Sequence, residues 1–178
     1  MARLRRRALR AVNARVAELV AQLQLAPHPE GGWYRETFRS EASVRRSADG
    51  AARCGLTNIH FLLAAGQVSH WHRVASDEAW HHHEGGALEL LSFPPDASTL
   101  QRVVLGATAG RWAHVVPAHW WQSARPLGAY ALVGCTVGPG FDFADFVLMS
   151  DLPAAQRPAP PVGIDPGEFA RLCGAPGR

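Results

Sequence analysis

Residues 66–85 read GQVSHWHRVASDEAWHHHEG and contain five of the chain's nine histidines together with two glutamates. Successive side chains of a β-strand point to opposite faces, so a strand over the first half places His70 and His72 on one face. Ser and Asp then favour a turn, after which a second strand carries Glu78 and His82 on a common face. If the two strands pair as a hairpin, these four side chains converge.

Two chemistries suit such a cluster. Imidazole and carboxylate groups bind borderline metals such as Zn, Fe, Ni, Mn or Cu, and a carboxylate beside an imidazole suits proton transfer, here between His72 and Glu78. A third interpretation, in which the histidines form a hydrogen-bonded wall, stays open. His81 and His83 point to the other face, where we expect them to be exposed or to lie at a dimer contact.

The bulk properties predict a cytoplasmic protein of one domain. The length of 178 residues suits a single hydrophobic core. Cys54, Cys135 and Cys173 are widely spaced and form no C-x-x-C pair, which argues against a zinc knot or a disulfide framework. The sequence shows neither an apolar run long enough for a membrane span nor a secretory signal pattern, so we expect no membrane partner.

Charge is concentrated at the N-terminus, where six arginines stand within residues 1–15. The net charge is +3, so the rest of the chain carries −3, and we do not expect nucleic-acid binding. Apolar residues recur at helical spacing over residues 8–23 and predict a basic amphipathic helix within residues 1–24. A transit peptide and a membrane-surface anchor are the alternatives for this segment.

Beyond the helix, short β-like runs separated by Gly, Pro and Asp predict an all-β sandwich or barrel. The expected strands are 33–38, 57–63, 67–74, 79–83, 87–93, 99–104, 114–116, 121–124, 130–137 and 146–149. Residues 40–53 are expected to form a loop, and 138–146, GPGFDFADF, a solvated hairpin edge. Residues 151–178 read as a Pro-rich tail with a short helix. No phosphate-binding glycine motif occurs, so no nucleotide cofactor is expected.

Four segments in this order resemble the Cupin-5 family of the cupin superfamily, known as domain of unknown function 985. They are PHPEGGWYRETFRS (27–40), HRVASDEAWHHHEGGALEL (72–90), VVPAHWWQSA (115–124) and YALVGCTVGPGFDFADFVL (130–148). The resemblance implies a double-stranded β-helix, a jelly-roll barrel over residues 25–150 whose mouth holds a small-molecule ligand, in a homodimer. This agrees with the run of short strands.

Cupins in general hold a metal with three histidines and one glutamate, and this chain departs from that pattern. On one alignment Val74 stands where the second histidine is expected, and on the other His70 and His72 are the H-x-H pair with one extra residue before Glu78. Gln122 stands where the last histidine is expected. Family members show His, Glu and Gln at the positions of His72, Glu78 and Gln122, and His70 or His82 could complete a set. The candidate metal ligands are therefore His70, His72, Glu78, His82 and Gln122, for one divalent ion of Fe, Zn, Ni or Mn.

Substrate-binding candidates come from the same motifs. Arg35 offers a bidentate fork to a carboxylate or phosphate, although the sequence does not say which face of its strand lines the pocket. Trp80 shares a face with Glu78, and His60 stands where relatives often have an aromatic residue. With Gln122, these residues complete the candidate set.

The function that these features favour is a small-molecule enzyme of the epimerase, isomerase or lyase type, acting on a polar sugar-like or acid substrate. His72 and Glu78 would exchange protons with a carbon next to a carbonyl, directly or with metal assistance. The alternatives are an Fe-dependent oxygenase and a non-catalytic protein that binds or senses a small molecule. A barrel of this kind does not by itself select among them.

Overall fold

The structure, a computed structural model, describes residues 14–174. Helix α1 spans residues 14–22. Residues 8–13 of the predicted helix and five of the six N-terminal arginines lie outside the described residues. Arg15 is described, and its Nε donates to Glu84 Oε1 at 2.8 Å. Within residues 14–174, no helix is long and apolar enough to cross a membrane.

Thirteen strands follow in the described residues. They are β1 Ala26–Pro27, β2 Trp33–Arg39, β3 Ser43–Arg45, β4 Ala52–Cys54, β5 Thr57–Ala64, β6 Ser69–Arg73, β7 Asp77–Gly85, β8 Leu88–Phe93, β9 Gln101–Leu105, β10 Ala113–Val116, β11 Trp121–Pro126, β12 Tyr130–Gly138 and β13 Val147–Leu148. Short 3-10 helices occur at Ala107–Ala109, Phe143–Asp145, Met149–Asp151 and Ala154–Gln156, and helix α2 spans Pro166–Cys173.

Two antiparallel sheets form the barrel. One has the strand order β1-β2-β5-β12-β7-β10 and the other β13-β6-β11-β8-β9. Alternate residues of each strand point between the sheets, where Phe61, Trp80, Leu90, Val103 and Val133 are buried in one inner cluster. The predicted all-β barrel with an N-terminal helix is therefore confirmed.

The two helices cover parts of the outer sheet faces. Val16 and Leu19 of α1 pack with Leu62 and Leu132 on the larger sheet. On the smaller sheet, Phe169 and Leu172 of α2 belong to the cluster that also contains Trp71, Phe93 and Trp121. The tail predicted at 151–178 thus places its helix against the barrel, because α2 carries an apolar face that needs burial.

One local prediction is wrong, and the hairpin on which the convergence of four side chains depends does not form. Residues 40–53 contain the β3–β4 hairpin rather than a loop. More importantly, β6 and β7 do not pair as a hairpin, because β6 bonds to β11 and β13 in one sheet while β7 bonds to β12 and β10 in the other. The chain between them crosses from sheet to sheet. Side-chain alternation indicates which face of a strand is buried, but it does not indicate the partner strand.

Candidate functional site

A cavity of about 500 Å³ opens between the two sheets at one end of the barrel. Its position follows from the inward residues of β12: Cys135 and Val137 line it, whereas Ala131 and Val133 belong to the filled core. The lining side chains change from buried to exposed along the cavity, so that it has a deep end and a rim. The deep end includes Glu30, His72, Val74, Glu78 and Cys135, and the rim includes Glu36, Arg39, Asp142 and Phe143.

A buried carboxyl and imidazole lie in contact at the deep end. Glu30 Oε2 is 3.2 Å from His72 Nε2, and Glu30 Oε1 accepts a hydrogen bond from the Ser69 hydroxyl at 2.8 Å. His72 Nδ1 lies 2.8 Å from the carbonyl oxygen of His70, which can only accept, so Nδ1 carries a proton. Nε2 of a neutral His72 therefore presents its lone pair to Glu30.

Burial decides where the shared proton resides. Burial raises the pKa of Glu30 to about 8, although the Ser69 hydrogen bond acts in the opposite direction. Burial also lowers the pKa of His72 below its usual range. Both shifts favour the neutral forms. At neutral pH the Glu30 O–H thus donates to His72 Nε2, and the pair holds one transferable proton.

His28 contributes a second neutral imidazole. Its Nδ1 accepts a hydrogen bond from the Glu30 backbone N–H at 3.3 Å. Burial lowers the pKa of His28 to about 3, and the nearby His72 acts in the same direction. The ring of His28 packs edge-on against Tyr34, with centroids 4.4 Å apart. Both imidazole rings at the deep end, those of His28 and His72, are therefore neutral.

A second buried carboxyl is oriented by a hydrogen-bond chain. The Trp80 indole N–H donates to Gln122 Oε1 at 2.9 Å, and Gln122 Nε2 donates to Glu78 Oε2 at 2.6 Å. An indole can only donate, which requires the amide oxygen of Gln122 to face Trp80 and its NH₂ group to face Glu78. Burial raises the pKa of Glu78, and it raises the pKa of the neighbouring Cys135 thiol well above its usual value.

Residues 138–146 cover one side of the cavity, and we call this segment the strap. Its Phe146 ring stacks on His72 with centroids 5.4 Å apart, and Phe143 stands at the rim with 54% of its surface exposed. Asp145 anchors the strap to the β3–β4 hairpin through Arg46 at 2.8 Å and Arg53 at 2.7 Å. The solvated edge expected here is instead a wall of the cavity held by ion pairs.

The comparisons agree with this architecture. The family model described as Cupin superfamily (DUF985) matches residues 17–149. The chain belongs to the Cupin-5 family. A crystal structure of a Shewanella oneidensis protein is 32% identical, with a TM-score of 0.72 over 90% of this chain and 97% of that one. A hypothetical protein from Leishmania major is 34% identical, with a TM-score of 0.69 over 74% of this chain and 85% of that one.

More distant cupins share the fold alone. Oxalate decarboxylase from Bacillus subtilis is 17% identical, with a TM-score of 0.54 over 82% of this chain and 36% of that one. Among curated proteins, none matches the chain. The cupin fold is therefore established, whereas the reaction and ligand have to be argued from the site itself.

The structure brings only part of the predicted site together. His72 and Glu78 both line the cavity. His70 does not, because β6 shifts register against β11 between the pairs Gln122↔His72 and Ala124↔Ser69. The extra residue of this β-bulge leaves Ser69, rather than His70, on the face of His72. The His70 ring instead meets the end of α2, with Nδ1 3.2 Å from the Leu172 carbonyl oxygen.

His82 lies on the inward face of β7 as predicted, but at the far end of the barrel. Its Nε2 is 2.8 Å from the carbonyl oxygen of Gly86. Trp80 and Gln122 are buried beside the cavity without lining it, and they act on it through Glu78. None of these three side chains is placed to touch a ligand directly.

Arg35 and His60 lie on the outer face of the larger sheet. Arg35 Nη1 donates to Gln24 Oε1 at 2.7 Å, and the His60 ring meets His83 with centroids 5.9 Å apart. The face of β2 that lines the cavity is the one with Tyr34 and Glu36. Neither Arg35 nor His60 is therefore placed to bind a ligand inside the barrel.

The predicted metal ligands do not fit one ion. His70 and His82 lie away from the cavity, and both ends of the Gln122 amide are engaged by Trp80 and Glu78. Across residues 14–174, no group of three or more His, Cys, Asp or Glu side chains is arranged to hold a metal. The metal set implied by the resemblance is thus not assembled by these five residues.

The sequence reasoning missed Glu30 and His28, although both stand in the PHPEGG motif. The usable signal was the pair of glycines after Glu30. Gly31 has φ of +110°, and a Cβ there would collide with the Val68 carbonyl oxygen. Such close approach requires glycine and presses the Glu30 segment onto the start of β6.

Proposed function

We propose that this Cupin-5 protein is an enzyme of the epimerase, isomerase or lyase type that moves a proton on a small polar carbonyl compound. The observation that carries the proposal is the contact of 3.2 Å between Glu30 Oε2 and His72 Nε2 in a buried cavity. A cavity of about 500 Å³ lies within the usual range for small-molecule sites. Perturbed acids and bases facing one cavity are typical of sites of proton transfer.

Two carboxyl groups take part, one to remove a proton and one to return it. Glu78, oriented by Gln122, can take a proton from the carbon next to the carbonyl when it is ionised. The Glu30–His72 pair holds the second proton and can return it to the opposite face of that carbon or to a neighbouring atom. Return to the opposite face gives an epimer and return to a neighbouring atom gives an isomer. The strap, through Phe146, keeps bulk water from the imidazole.

The test uses deuterium exchange. A panel of aldoses, ketoses and keto acids is first screened for compounds that raise the melting temperature. Proton NMR in D₂O then follows loss of the hydrogen next to the carbonyl in each compound that binds. We expect enzyme-dependent exchange that slows at least about 100-fold in E30Q and in E78Q, since acid–base catalysis contributes effects of that order.

Glu41 is exposed and lies outside the cavity, so E41Q is the matched control and should exchange at the wild-type rate. Exchange that persists in both E30Q and E78Q contradicts the proposal, as does a panel in which no carbonyl compound binds. Compounds that bind without any exchange also contradict it, and they favour the non-catalytic binding function instead.

A further inference from the structure

The cavity has an unusual charge balance for a site that would bind an acid. Five lining side chains carry a carboxyl or a guanidinium group, namely Glu30, Glu36, Arg39, Glu78 and Asp142. Arg39 is the one guanidinium among these lining residues, against four carboxyls. The remaining titratable groups that line the cavity are His28, His72, Tyr34 and Cys135.

Arg39 is already engaged. Its Nε donates to Glu36 Oε1 at 2.9 Å and its Nη2 donates to Glu36 Oε2 at 2.7 Å, a bidentate pair. Its Nη1 donates to the Phe141 carbonyl oxygen at 3.2 Å. An anionic ligand group would have to displace Glu36, whose charge would remain beside it. Asp142 adds a further carboxylate at the rim, where its side chain accepts from the Ala144 N–H.

The deep end supplies no charge to replace Arg39. The His28 and His72 rings are buried, and both lie against the Glu30 carboxyl, at 3.5 Å and 3.2 Å. His72 Nδ1 faces the His70 carbonyl oxygen and its Nε2 faces the Glu30 carboxyl, while His28 Nδ1 accepts from the Glu30 N–H, so none of these three ring nitrogens is free for an anionic group. Transfer of an anionic group into such a site costs hydration energy that the carboxyl-rich lining does not offset, whereas a neutral ligand avoids that cost.

We infer that the ligand of this cavity is a polyhydroxy compound of monosaccharide size without an anionic group, and that carboxylated and phosphorylated sugars are excluded. The inference takes from the proposed function only that this cavity is the ligand site. Carboxyl groups at the deep end can accept from and donate to hydroxyls. Tyr34, Phe141 and Phe146 line the walls with flat apolar surface that suits the C–H face of a sugar ring.

The test compares matched ligands on the wild-type protein. The uncharged probes are D-glucose, D-ribose, L-rhamnose and L-fucose, and the anionic counterparts of the first two are D-glucuronate, D-ribonate and the phosphate esters of glucose and ribose. Melting temperature and calorimetry report binding at millimolar concentrations. We expect uncharged members to raise the melting temperature, and the anionic counterparts to bind at least about tenfold more weakly, the factor that 1.4 kcal/mol gives.

A variant then tests the cause. E36Q releases the Arg39 fork, so the anionic counterparts should gain about tenfold in affinity, while E41Q should leave the order unchanged. The inference is overturned if an anionic member protects the wild type as well as its neutral parent, or if no uncharged probe binds. Failure of E36Q to gain affinity contradicts the role assigned to the Arg39–Glu36 pair.

The outcomes separate this inference from the proposed function. Uncharged sugars that bind but exchange no deuterium contradict the proposed function and leave the ligand class standing. Anionic compounds that bind and exchange deuterium support the proposed function and overturn the ligand class.

Discussion

The two ends of the barrel receive side chains from the same face of the same strand, yet they differ in what those side chains can do. Glu78 and His82 both point inward from β7. Glu78 meets a cavity, whereas His82 bonds to the Gly86 carbonyl oxygen and packs near Trp112, with ring centroids 6.0 Å apart. An inward direction alone therefore does not make a residue functional.

The difference arises from what fills the space between the sheets. Toward the far end, Leu63, Leu88 and Leu105 are completely buried and occupy the interior. At the cavity end the inward residues include smaller side chains such as Thr57, Val74 and Cys135. The polar side chains at this end consequently face the cavity and do not pack against aliphatic side chains. Three predictions test this contrast.

The largest expected effect concerns the pH dependence of stability at the cavity end. Burial raises the pKa of Glu30 to about 8, so between about pH 5 and pH 8 the unfolded chain loses a proton that the folded protein keeps. At low pH both states hold the Glu30 proton and the free energy of unfolding is at its full value. It falls as the pH rises towards 8, because only the unfolded chain releases the proton. Relative to wild type, E30Q should gain on the order of 4 kcal/mol across this range.

Urea unfolding at several pH values from 5 to 9 measures this difference. E41Q, at an exposed position, should follow the wild-type curve. Parallel curves for E30Q and wild type would show that the Glu30 carboxyl is ionised in the folded protein at neutral pH and does not donate to His72.

The second prediction concerns the chain of Trp80, Gln122 and Glu78. Q122M keeps the approximate volume but leaves the Trp80 N–H and the Glu78 carboxyl without their partner. Unpaired buried polar groups cost about 1–3 kcal/mol each, so we expect a loss of about 3 kcal/mol in the free energy of unfolding. Chemical denaturation at neutral pH measures it.

A substitution at the far end supplies the comparison. Trp112 is 55% exposed, and W112F should change the free energy of unfolding by no more than about 0.5 kcal/mol. Equal effects of Q122M and W112F would refute the distinction between the two ends.

The smallest effect concerns the strap. D145N removes the charge that binds Arg46 and Arg53, so the strap should separate more often from the hairpin and expose Cys135. In a background carrying C54S and C173A, we expect iodoacetamide to label Cys135 about tenfold faster, which corresponds to 1.4 kcal/mol in the opening equilibrium.

Asp49 also pairs with Arg46 but is about half exposed and does not line the cavity, so D49N is the matched control. It should change the labelling rate less than about twofold, because exposed ion pairs contribute little. An unchanged rate in D145N, with the fold intact by circular dichroism, would mean that the strap does not control access.

Much of the local structure could be predicted because it depends on short-range periodicity. The inward positions of Glu78, Trp80 and His82 follow from alternation along one strand, and all three are buried. His72 reaches the cavity as expected, and the four family motifs identify the fold. The homodimer, the small-molecule substrate and the cytoplasmic location stay predictions.

The errors came from relations between distant segments. Strict alternation puts His70 on the face of His72, because the bulge in β6 is defined only against β11. Glu30 has no local pattern that marks it, because its partner Ser69 lies 39 residues further along the chain. The metal set failed for the same reason, since its members lie on different faces and at different ends of the barrel.

By itself, the sequence determined the family, the all-β barrel and the inward face of β7, because hydrophobic alternation and ordered motifs are properties of contiguous residues. Only the tertiary structure decided that Glu30 is the partner of His72, that Gln122 orients Glu78, and that the strap with Arg39 and Glu36 forms the rim. These contacts join segments that are far apart in the chain, and burial between two sheets is what shifts the proton affinities of the groups that meet there.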